Sequence, residues 1–373
     1  MPIVDDKRTL REVGERLIVR EITDSLRPSN LLLDGFGHDA AFVNLSLAEG
    51  EILVVNTDRS GLNIAYQLGL AGAECIGDLG VSHAISDVIA AGGRPRVITV
   101  ALLLPPDTEV GFVRTVMKGA EHAATRYGAI VAGGDTKQNP KFAMVVTAIG
   151  TAHQTKRLRR STAQKGDALV VTGYLGSMLL GTIAFRKKLE LPNEVRRVLE
   201  YALVNQHPPF ALGLAFSDAG IANACMDISD GLSGTLFSIC SASGVGAVID
   251  ESKLPINPDV MPLAKMLGIR PMQLTLAGGD WQYLYAIPKD KLEEAERIAA
   301  SIGSRITVIG NTVEPTFIAA RTSEGSYRHV KRIEHDSFRD GIKGTTHFDK
   351  LGSPQQCFGD LLDARAIENS LEP

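Results

Sequence analysis

Six aspartates recur in one kind of setting: short carboxylates beside glycine or small residues, near the ends of strand-like runs. Asp39 lies in Gly37-His38-Asp39-Ala40-Ala41 and Asp58 ends the run Ile52-Leu53-Val54-Val55-Asn56-Thr57. Asp135 follows Val131-Ala132-Gly133-Gly134, and Asp227 and Asp230 bracket Ile228-Ser229. Asp87 stands in Ala84-Ile85-Ser86-Asp87-Val88, within a small-residue helical stretch where an aspartate is a poor choice unless something binds it. Taken singly, an Asp after a strand is ordinarily a turn former or helix cap. The recurrence is harder to explain that way.

Two carboxylates about 4 Å apart repel by roughly 4 kcal/mol even at an effective dielectric of 20. Divalent cations relieve that repulsion, and short, hard oxygen ligands suit Mg²⁺, which usually works together with substrate phosphates. Gly133-Gly134, and a helix starting after Asp230, would bring backbone N–H groups close to a phosphate. The chemistry favoured is phosphoryl transfer by positioning and charge neutralisation. The sequence has no Gly-Lys dipeptide, hence no Walker A loop, and no H-E-x-x-H or G-x-S-x-G motif. His38, His83 and Asp280 are conceivable proton acceptors, but a lone His is more often structural, and the catalytic residue is left unassigned.

The elements that must position these residues alternate between helix and strand patterns, as in an α/β or α+β protein. Thr9 with Glu12 forms a capping-box pattern ahead of Leu10, Val13, Leu17 and Leu26 on one helical face. The runs 40–45 and 51–58 read as a hairpin, and 68–91 as one long helix closed by Gly92-Gly93. A strand over 96–104 follows, then a helix capped by Asp107 and strands at 129–132 and 142–149. The basic stretch Lys156–Arg160 lacks periodicity and marks a linker, giving domains 1–155 and 156–340 and an irregular tail 341–373. A chain of 373 residues suits two such domains.

With 39 Lys+Arg against 43 Asp+Glu, the net charge of −4 argues against coating nucleic acid or an anionic membrane. Apolar runs are too short to span a bilayer, and the first residues lack a signal-peptide stretch. Cys75, Cys225, Cys240 and Cys357 are scattered like the reduced thiols of a cytoplasmic protein.

The motifs GHDAAF at 37–42, NTD at 56–58, AISDVIAAGGRP at 84–95, GGDT at 133–136, LRRSTAQKGDALVVTGYLG at 158–176, MDISDGL at 226–232 and LAGGDWQYL at 276–284 occur in this order. Together they resemble the thiamine-monophosphate kinase branch of the superfamily that includes aminoimidazole-ribonucleotide (AIR) synthetase. The resemblance implies a two-domain AIR-synthase-like fold, its N-terminal sheet pairing with a twin in a homodimeric β-barrel beside a C-terminal α/β domain. It further implies ATP held through several Mg²⁺ ions and a small-molecule acceptor. Asp39, Asp58, Asp87, Asp135, Asp227 and Asp230 would be metal ligands, with Asn56 and Thr57 flanking them. Gly134, Asp135, Arg160 and Ser229 would contact the nucleotide, and Asp280 and Trp281 the acceptor.

The departures fall mainly on the acceptor side. His38 replaces the first Asp of the family's G-D-D-A, and Gly61–Tyr66 replaces a His-Phe pair. Gly278–Leu284 replaces G-G-E-D-Y-E-L, Phe210 replaces an Arg, and the single tryptophan is Trp281. The reading is an ATP-dependent kinase. The alternatives are a relative that activates an amide or carboxylate oxygen for ligation, cyclisation or dehydration, and a non-catalytic nucleotide-binding subunit.

Overall fold

A computed structural model describes residues 6–33, 41–314, 316–333 and 357–371. The chain divides into two compact units, Met1–Thr155 and Lys156–Pro373. In the first unit, α1 (Leu10–Ser25), β1 (Glu51–Ser60), α2 (Ile64–Gln67), α3 (Glu74–Ala90), β2 (Arg94–Leu104), α4 (Val110–Arg126), β3 (Ile130–Gln138) and β4 (Ala143–His153) follow one another. The sheet order is β1-β4-β2-β3, with β2 and β3 parallel and the other pairs antiparallel. A parallel pair requires a crossover, and α4 supplies it. Helix α3 packs on β1, β4 and β2 and against α4. Its small residues have a cause: a Cβ on Gly77 would lie 1.8 Å from the Val116 carbonyl oxygen, and one on Gly119 1.9 Å from that of Glu74. The two helices touch backbone to backbone, so α3 is buried nearly all round rather than on one stripe.

Several local expectations change. β1 pairs with β4 rather than with 41–45, so there is no hairpin, and Val43 makes only an isolated bridge to Leu32. The helix expected over 68–91 is α3 alone: the glycine-containing stretch 68–73 is not helical and separates α3 from the short α2. Glu109, not Asp107, occupies the N-cap of α4, while Asp107 accepts a hydrogen bond from Arg11 at 2.9 Å. The Thr9–Glu12 box forms, the Glu12 carboxylate accepting from the Thr9 N–H at 2.6 Å. The buried residues of α1 are Ile18 and Ile22, and Leu17 is exposed, because Gly14 at φ 74° kinks the helix and turns the expected face.

The second unit contains β5 (Ala168–Thr172), α5 (Ser177–Arg186), α6 (Asn193–Val204), α7 (Phe210–Ala219), β6 (Ala224–Asp227), α8 (Leu232–Ser243), β7 (Gly246–Asp250), α9 (Met261–Met266), α10 (Pro271–Leu274), β8 (Tyr283–Ile287), α11 (Leu292–Ser301), β9 (Ile306–Val313), β10 (Ile318–Arg321), β11 (Tyr327–Val330), β12 (Phe358–Leu361) and α12 (Ala364–Leu371). Eight strands form one sheet in the order β12-β11-β10-β7-β9-β5-β8-β6. β8 is buried along its whole length, with Tyr283 and Tyr285 fully enclosed and Phe216 edge-on to Tyr285 at 5.2 Å.

Residues 357–371, part of the stretch expected to be irregular, form β12 and α12. Ile367 of α12 packs with Val248, Val313, Ala319 and Tyr327. Alternating charge hides this short apolar face in the sequence. Among the described residues no helix is long and apolar enough to cross a membrane, and none of the four cysteines is in a disulfide.

Candidate functional site

In the first unit the sheet register separates the nominated residues into two sets. Directly registered residues share a face. Asp58 registers with Val146, Val146 with Val100, and Val100 with Gly134. Asp135 lies one row further, with Ala101, Val145 and Arg59. Asn56 and Asp58 therefore point to the side covered by α3, and Thr57 and Asp135 to the other. The structure brings Asn56 and Asp87 together: the Asn56 amide donates to Asp87 Oδ2 at 2.8 Å and to the Ala84 carbonyl at 3.2 Å. This contact accounts for a polar residue in the middle of α3. Thr57 instead meets the Thr147 hydroxyl at 2.9 Å.

Asp58 and Asp135 sit on strands three spacings apart, about 14 Å within one chain, so one copy does not gather them around a single ion. Asp39 and His38 lie outside the described residues. Gly133-Gly134 is part of β3, and a Cβ at Gly134 would lie 1.7 Å from the Val100 carbonyl oxygen. This segment opens on a cavity of about 1000 Å³ between α1 and β2–β3, also lined by Ala41. The described end of the GHDAAF stretch and the GGDT stretch thus meet at one hollow.

In the second unit three glycine-bearing loops interlock. The Gly279 N–H donates to the Ser229 carbonyl at 3.1 Å. A Cβ on Gly278 would approach that carbonyl oxygen to 2.1 Å, and one on Gly231 the Leu276 carbonyl oxygen to 2.3 Å. Gln282 accepts from the Thr172 hydroxyl at 2.9 Å, and Gly173 leaves room for its amide. Asp227 ends β6 and is buried, with the Ser229 hydroxyl 3.4 Å from its Oδ1, while Asp230 is exposed. Arg160 is also exposed, but its carbonyl accepts from Ser243 at the far end of α8, about one helix length from Ser229.

The Asp280 carboxylate accepts from the Gly176 N–H at 2.6 Å and the Met178 N–H at 3.2 Å, capping the start of α5. Burial pushes this carboxyl up to about 7, against the lowering effect of the two N–H donors. Trp281 follows at φ 51°, a backbone region costly for an aromatic residue.

The donor chemistry suits magnesium. Asp58 Oδ1 accepts from the Arg59 N–H at 2.7 Å and Asp135 Oδ1 from the Thr136 N–H at 2.8 Å, each contact leaving the second carboxylate oxygen for a ligand. Among the described residues no three His, Cys, Asp or Glu side chains form a closed cage. Mg²⁺ does not require one, because it keeps waters and substrate phosphates and takes one or two carboxylates. The motif reading passes over α1, whose residues 16, 19, 20 and 23 share one helical face and line the cavity. That spacing is the only sequence signal for it.

The family descriptions "AIR synthase related protein, N-terminal domain" and "AIR synthase related protein, C-terminal domain" match residues 37–152 and 164–321. Among curated proteins, the chain is 31% identical over 301 residues to a thiamine-monophosphate kinase of Pyrococcus horikoshii, covering 79% of this chain and 85% of the other. Among solved structures, a thiamine-monophosphate kinase from Stenotrophomonas maltophilia is 26% identical with a TM-score of 0.70, covering 81% and 94% of the two chains. AaThiL complexed with AMPPCP and TMP is 26% identical with a TM-score of 0.65, covering 88% and 99%. The hydrogenase maturation protein HypE of E. coli, 21% identical with a TM-score of 0.71 over 88% and 100% of the chains, shares the fold.

Proposed function

The chain belongs to the AIR synthase-related family, in its thiamine-monophosphate kinase branch, and on that premise we propose that it transfers a phosphoryl group from ATP to a phosphate-bearing small molecule, thiamine monophosphate in the first instance. The observation that carries this reading is kinship with thiamine-monophosphate kinases along most of the chain, with the aspartate motifs in place.

We assign Asp39, Asp58, Asp87, Asp135, Asp227 and Asp230 to the magnesium ions, with Asn56 and Thr57 beside them. Bound magnesium supplies charge neutralisation on the transferring phosphates. Asn56 fixes the orientation of the Asp87 carboxylate by its 2.8 Å bond, as groups behind a metal ligand commonly do. Gly134, Arg160 and Ser229 are assigned to the nucleotide. Trp281 is assigned to the acceptor, and Asp280 holds the loop carrying it by tying that loop to α5. A phosphate acceptor is already anionic and requires little proton abstraction.

We also propose a homodimer closing a β-barrel around the uncovered face of the first sheet. Edge strand β1 presents Leu53 and Val55 there, 50% and 60% exposed, which favours a covering partner. Cysteines that form no disulfide agree with a cytoplasmic setting.

Incubation with ATP, Mg²⁺ and thiamine monophosphate should yield thiamine diphosphate and ADP. ATP binding without that product would remove thiamine monophosphate as the acceptor. Absence of any thermal shift with ATP and Mg²⁺ would remove the kinase reading itself.

A further inference from the structure

Along the same cavity the charged residues of α1 are not equivalent. Glu15 pairs with Lys137 at 3.5 Å, and Arg20 with Asp24 at 3.7 Å. Arg16 lines the cavity with Gly134 and Asp135, and no carboxylate pairs with it among the described residues. It shares the helical face of Val19, Arg20 and Thr23, opposite the side on which Ile18 is buried. Two residues earlier the kink at Gly14 sets the direction of this face.

We propose that Arg16 is a nucleotide-binding residue that contacts the phosphates of ATP in this cavity, an assignment that rests on the kinase reading above. The chemistry follows from charge and shape. An ATP tail would remain anionic after a bound magnesium ion neutralised part of it. A guanidinium offers a planar fork of donors matched to phosphate oxygens, and an unpaired one has no carboxylate to release first. The cavity wall combines the buried Leu102 and Met117 with charged side chains, and of its two arginines Arg20 is held by Asp24 whereas Arg16 has no such carboxylate among the described residues.

Calorimetric titration of the full chain with ATP, ADP and adenosine, each with Mg²⁺, tests the assignment. Arg16→Ala should weaken ATP binding about tenfold, ADP less, and adenosine not at all. Arg16→Lys should recover part of the loss, and the difference from wild type should shrink at high salt. Arg297→Ala, an exposed charge on α11 in the other unit, serves as the charge-matched control and should bind like wild type. Wild-type affinity for ATP in Arg16→Ala would overturn the assignment, as would an equal loss for adenosine. If the wild-type protein itself binds no ATP, the kinase reading fails first and takes this assignment with it.

Discussion

A Cβ at Gly134 would press into the Val100 carbonyl, whereas one at Gly133 would meet nothing within 4 Å. Two adjacent glycines therefore carry different burdens. Gly134→Ala should force β3 from β2 and cost about 1–3 kcal/mol in urea unfolding; Gly133→Ala should cost less than about 1 kcal/mol. The sequence presents the pair as one signal, because which glycine faces a neighbouring backbone depends on strand register. Asp135→Asn and Asp227→Asn should each abolish turnover while far-ultraviolet circular dichroism stays native, and turnover retained in both would mean the metal site is misplaced.

Asp280 makes a separate test at the same scale. Its carboxyl is raised to about 7, while an unfolded chain ionises it near 4. Between those values the folded protein binds more protons than the unfolded, so this group's contribution to stability is full at low pH and declines as pH rises to 7. Asp280→Asn should remove that decline, shifting the variant-minus-wild-type stability by about 1–3 kcal/mol between pH 4.5 and 7.5. A flat difference would show that the carboxyl titrates normally.

At the scale of elements, the crossing of α3 and α4 depends on Gly77 and Gly119. Gly77→Ala should lower the melting temperature more than Gly72→Ala, since position 72 lies in open space. Most elements were legible because their periods and caps are local: the Thr9–Glu12 box and the strand ending at Leu104 are both present. The partner of β1 was not. Pairing with β4 spans about ninety residues, and nothing local to 51–60 encodes it. The Asn56–Asp87 contact was likewise foreshadowed only by an ill-placed aspartate, since its other half comes from a distant strand.

For the whole molecule, the eight-stranded sheet ends in β12, and Arg270 lies over the Phe358 ring at 5.0 Å while bonding the buried Glu251 at 2.6 Å. Ending the chain at residue 356 would uncover Tyr327 and Val248 and should lower the melting temperature by several degrees. Leu53→Asp with Val55→Asp should leave a single chain in light scattering if β1's uncovered face is the dimer contact. The boundary along the chain has a consequence of its own. Lys156, Arg157 and Arg159, at the start of the second unit, are exposed. Trypsin should nick the native chain at these bonds well before it cuts within either sheet, leaving two protease-resistant fragments whose masses report the boundary directly.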